Sequence, residues 1–94
     1  MNKHQYRITV ESMDGLSSPP LCFTARSHDD LLAIVERTRA RGMLNADDAA
    51  AMAVGLKLLG EVVLEHRKEA LFSEFCEHIG AFIRKLKSAP GAPR

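Results

Sequence analysis

Three short constellations in this chain hold the residue types that do chemistry. His28-Asp29-Asp30 places an imidazole beside two carboxylates. A metal site needs three or four converging ligands, and no second cluster is spaced to complete this one. The same residues suit the first turn of a helix, where acids meet the positive end of the helix dipole. Cys76-Glu77-His78 pairs a thiol with an imidazole. Residues i and i+2 on a helix point about 200° apart, so the two cannot share one zinc ion or act as nucleophile and base. Cys76 falls on an apolar stripe, the setting of an inert thiol. Glu61 and Glu65 lie one turn apart and could work as a carboxylate pair. Lys57, one turn before Glu61, points instead to an exposed salt-bridge ladder. Ser73 has Glu77 and His78 nearby in sequence, but helical geometry separates the side chains. No glycine-rich phosphate loop follows a strand, since Gly55 and Gly60 fall in the middle of a helix. No metal and no cofactor is therefore expected, and no catalytic set is visible. Arg7, Lys57, Glu61 and His66 remain as candidates for a polar site.

Basic residues gather at the ends of two helices, Arg37, Arg39 and Arg41 on one and Arg84, Lys85 and Lys87 on the other. Cations are favoured there by the helix dipole, and together they could also bind phosphate. A net charge of +1, one Tyr and no Trp argue against a nucleic-acid module, which needs a basic excess and stacking aromatics.

The elements that must position these groups are legible from periodicity. Tyr6, Ile8 and Val10 alternate with Arg7, Thr9 and Glu11, which reads as a half-buried strand. Residues 12–20 carry Asp14-Gly15, Ser17-Ser18 and Pro19-Pro20, a turn-rich loop. Leu21, Phe23 and Ala25 alternate again, and the two strands are expected to pair antiparallel. Ser27 is expected to cap a first helix that stops at Gly42. Asn45 caps a second, running to Leu64 or His66. Its polar residues Asp47, Lys57, Glu61 and Glu65 occupy an arc of only about 80°. A helix apolar this far round is buried on several sides, so Leu56 and Leu59 are expected deep in the core. Gly55 and Gly60 imply close approach of another backbone. After the charged break Arg67-Lys68-Glu69, a third helix carries Leu71, Phe72, Phe75, Cys76, Ile79, Phe82, Ile83 and Leu86 along one stripe.

The expected fold is α+β, an antiparallel β-hairpin followed by three α-helices (β-β-α-α-α). It forms a single domain over residues 1–88 with a flexible tail over 89–94. The apolar run 49–64 contains Lys57 and Glu61 and falls short of the ~20 residues of a membrane span. The polar opening Met1–Gln5 lacks the apolar segment of a secretory signal. A cytoplasmic protein with Cys22 and Cys76 as reduced, unreactive thiols is expected.

Three stretches carry a family likeness: 4–10 (His4-Gln5-Tyr6-Arg7-Ile8-Thr9-Val10), His28-Asp29-Asp30-Leu31 leading to Arg41-Gly42, and 53–62, from Ala53 through Gly55 and Gly60 to Val62. The run from Leu71-Phe72-Ser73-Glu74-Phe75 to Lys85-Leu86-Lys87 continues it. The chain resembles a bacterial family of small single-domain proteins, domain-of-unknown-function family 3861. The resemblance implies a bacterial, cytoplasmic protein and transfers no functional residues. The family tends to place a proline before the position of Leu71, where this chain has Ala70. The break between the last two helices is thus less sharply encoded.

Two functional readings follow. The favoured one is a non-enzymatic interaction or accessory module, a homodimer or the partner of an unidentified protein. The alternative is a small-molecule-binding or enzymatic domain with a polar pocket near the second helix.

Overall fold

The computed structural model describes residues 3–15 and 18–88. Two strands, β1 (His4–Val10) and β2 (Leu21–Ser27), precede three helices, α1 (Leu31–Ala40), α2 (Ala46–Glu65) and α3 (Ala70–Ser88). This is the expected β-β-α-α-α order. The strands pair antiparallel, with Tyr6 opposite Ala25, Ile8 opposite Phe23 and Val10 opposite Leu21. Directly opposed residues share a sheet face, so the apolar residues of both strands line one side. Gly15, at φ 80°, takes the positive-φ conformation in the connecting loop. The tail expected over 89–94 lies outside the described residues.

The start of α1 differs from expectation. Ser27 is the last residue of β2, buried and opposite His4, and its hydroxyl accepts the Asp29 N–H at 3.2 Å. Asp30 is the N-cap, accepting from the Leu32 and Ala33 amides at 3.1 and 3.3 Å. The Leu31 amide donates to the Tyr6 hydroxyl at 2.8 Å. Three of the four amides that a helix start leaves free are thus satisfied by one acid and one tyrosine from β1. Gly42, at φ 75°, follows the end of α1. Asn45 caps α2 as expected, its Oδ1 accepting the Asp48 amide at 2.8 Å.

Helix α2 packs against α1, α3 and β2, which makes it the hub of the fold. The buried residues of α1 are Leu31 and Val35, and those of α2 are Ala49, Ala53 and Val63. Both Leu31/Val35 and Ala49/Ala53 repeat at four residues, and the small alanines let the α1 backbone approach α2. The core is smaller than the sequence suggests. Leu56 is only half-buried and Leu59 is 45% exposed, contrary to the expectation for both. The apolar arc of α2 is wider than its three neighbours can cover. Ala51, Gly55, Leu59 and Val62 fall on an uncovered side, and Leu56 borders an open cleft between α1 and α3.

The mid-helix glycines also depart from expectation, because a Cβ placed at Gly55 or Gly60 would meet no atom within 4 Å. No backbone approaches them, so only the cost of glycine in a helix remains. Gly60→Ala is expected to stabilise the fold by about 0.5–1 kcal/mol, measured as a higher denaturation midpoint. A lower midpoint would reveal an obstruction there.

Both cysteines are free, as expected, but Cys22 is exposed and Cys76 half-buried. Cys22 lies on the outer face of the hairpin opposite Thr9, whose hydroxyl is 3.8 Å from its sulfur. The expectation of two unreactive native thiols is therefore corrected. Thiol titration of the native protein should show one fast group and one slow one, with equal rates after denaturation. A Cys22→Ser variant that keeps the fast phase would contradict this assignment.

Candidate functional site

The polar stripe of α2 meets the rest of the molecule at the junction between β2 and α1. The expected ladder of Lys57, Glu61 and Glu65 along the helix does not form. Each finds a partner distant in sequence. Lys57 Nζ pairs with Asp29 Oδ2. Glu61 Oε1 accepts from Lys3 Nζ at 3.0 Å, and Glu65 Oε2 accepts from the same ammonium at 3.2 Å. Glu61 Oε2 accepts the backbone N–H of His28 at 3.1 Å and faces His28 Nδ1 at 2.9 Å. A proton on Nδ1 makes the imidazole a second donor to that oxygen. Lys57 and Glu61 are partly covered by the rest of the molecule, so tertiary partners replace intrahelical ones.

The Glu61 side chain is only 16% exposed. Partial burial works to raise its pKa. The hydrogen bonds from the His28 ring and backbone and from Lys3 outweigh that and hold the carboxyl at about 2. The same contacts raise the Lys3 ammonium, through its hydrogen bonds to Glu61 and Glu65. The hydrogen bond from Lys57 lowers the Asp29 carboxyl. General acid–base work calls for a pKa near the operating pH and an acceptor turned toward substrate. Glu61 stays ionised, and both its oxygens are occupied by the chain's own donors.

Of the four residues singled out from sequence, Lys57 and Glu61 join this cluster. Arg7 does not, being exposed on the hairpin face opposite Tyr6 and Ile8. His66 follows α2 as its C-cap, donates its N–H to the Val62 carbonyl and meets Glu69 Oε2 through Nδ1 at 2.9 Å. Its ring lies 6.0 Å from that of Phe72, so His66 pins the turn that separates α2 from α3. Sequence reasoning missed Lys3 and His28 as partners of Glu61. Three like-spaced charges on a helix carry no sign of which distant groups will reach them. Beside the cluster, an open groove of 570 Å³ runs between β2 and α2, with Phe23, Ala25, Leu58 and Val62 among its walls. Among the described residues no group of three or more His, Cys, Asp or Glu side chains could hold a metal ion. No described helix is long and apolar enough to cross a membrane.

The fold and the cluster define a small α+β protein in which a β-hairpin is clamped to a central helix by partly exposed ion pairs. The chain belongs to the Domain of Unknown Function family DUF3861, whose family model matches residues 4–88. It is similar to a protein of unknown function from Pectobacterium atrosepticum, known from a crystal structure. The two share 35% sequence identity and superpose with a TM-score of 0.86 over 94% of this chain and all of the other. No curated protein matches the chain.

Proposed function

We propose that this protein is a non-enzymatic interaction module that works as a homodimer. The observation that carries the reading is the amount of apolar surface left uncovered. No residue of α3 is buried, although that helix is amphipathic; Leu71 is 78% exposed, and Phe75 and Phe82 are exposed as well. The uncovered side of α2 adds Leu59 and Val62, and the end of the hairpin near its loop adds Val10, Leu21 and Phe23.

The accessible surface is 7427 Å², against about 5,400 Å² for a monomer of 10.4 kDa. The radius of gyration is 15.2 Å, against about 12.4 Å for a compact chain of this length. A standard interface removes about 800 Å² from each partner, less than half of the roughly 2,000 Å² excess. Exposed apolar side chains gathered in this way mark association surfaces, and twofold pairing is the commonest closed arrangement. The saturated Glu61 cluster supports a structural rather than a catalytic use of the polar residues.

Light scattering at micromolar concentration should give twice 10.4 kDa, and Phe75→Glu should return the mass to that of one chain with its helical circular dichroism retained. A mass of one chain that does not rise with concentration would overturn the homodimer.

A further inference from the structure

The geometry points to a second site, a cleft between α1, α2 and the C-terminal half of α3 that takes a single-tailed amphiphilic anion of the medium-chain acyl class. The cleft measures 480 Å³, within the range of small-molecule sites. Met52 and Leu56 of α2 and Ile83 of α3 are among the apolar side chains lining it. It is the reason that Leu56, on the hub helix, remains half-buried. Four cations, Arg37, Arg41, Lys57 and Lys87, line the same cleft, and among the described residues no acidic one does.

Like charges converging on one apolar space repel one another and attract an anion. The chain already answers part of this field. Asp29 pairs with Lys57 and also feels the charge of Lys87. With Lys57 answered by Asp29, Arg37 and Lys87 carry the positive field at the cleft. An apolar tail would cover the Met52, Leu56 and Ile83 surface, while an anionic head would sit among the cations. A tail without a charge leaves Arg37 and Lys87 unanswered, and a small anion without a tail leaves the apolar surface wet. The two demands together select an amphiphile. The basic residues at the ends of α1 and α3 thereby acquire a shared role through Arg37 and Lys87.

The site does not rest on self-association, and calorimetric titration of the full chain tests it separately. Decanoate and decyl phosphate, each below its micellar concentration, should bind saturably with one site per chain, and the tighter of the two identifies the head group. Decyltrimethylammonium has the same tail and the opposite charge, and should bind at least roughly tenfold more weakly. Acetate should show no saturable binding. Arg37→Gln and Lys87→Gln should each weaken the anion about threefold or more with unchanged thermal melting. Asp29→Asn removes the competing carboxylate and should tighten it. The Phe75→Glu variant should bind the anion as the parent does, whatever its oligomeric state. Failure of both anions to saturate, equal binding of the cationic amphiphile, or indifference to the Arg37 and Lys87 changes would overturn the proposal.

Discussion

Leu31→Ala is expected to cost about 2–5 kcal/mol of folding free energy, the range for truncating a buried leucine. Five hydrophobic residues are buried among those described, and two of them are alanines. Leu31, at 3% exposure, is the largest of the five. A chain of this length has a total stability of only about 5–14 kcal/mol, so this one side chain accounts for a large share of it. The position allows a clean measurement. Alanine is an excellent helix former, and the groups that start α1 are the Tyr6 hydroxyl and the Asp30 carboxylate, neither of which the substitution touches. The loss therefore reports packing against α2 rather than capping. The neighbouring Leu32 is 70% exposed and serves as the control. Leu32→Ala removes the same atoms one residue away and should change stability by less than about 0.5 kcal/mol. Chemical denaturation of the two variants at neutral pH gives the comparison. Equal losses would mean that α1 does not dock through Leu31.

The contrast between these adjacent leucines also shows what a single sequence encodes. Strand β1 was readable because alternation has a period of two and needs no knowledge of the partner. Gly42 and Asn45 were readable because a left-handed stop and an N-cap are local chemistry. Ser27 misleads because both it and Asp30 are good capping residues ahead of an apolar run. The choice between them is made by pairing across the sheet, where Ser27 faces His4. Leu59 misleads for a related reason. The width of an apolar arc states how much surface a helix needs to cover, not how many neighbours the same chain supplies. Gly55 and Gly60 were legible as costly residues, but not the open space around them. In the polar cluster, i,i+4 spacing favours a ladder worth a few tenths of a kcal/mol. Partners arriving from the start of β1 and the β2–α1 junction displace it, since they neutralise Glu61 on its less solvated side.

The acid limb of the stability curve should belong largely to Glu61. Its carboxyl is held at about 2, against an ordinary value of 4.5. As pH falls, the unfolded chain takes up this proton before the folded one does. The stability contributed by the ionised group is therefore fully present above about pH 4.5 and is lost progressively as pH falls toward 2. The whole shift would correspond to about 3 kcal/mol. The His28 partner is 55% exposed, and screening by solvent reduces the expected contribution to about 1–2 kcal/mol. Asp29, also lowered by its contact with Lys57, adds to the same limb, so the decisive quantity is a difference between proteins. Glu61→Gln keeps the shape and one acceptor oxygen while removing the charge. It should be less stable than the parent by that amount at pH 7, and the gap should close as pH falls from 4.5 toward 2. Urea denaturation of both proteins at several pH values in that window and at neutral pH measures it. Two curves that stay parallel throughout would assign the acid limb to other carboxylates and reduce Glu61 to an ordinary surface charge.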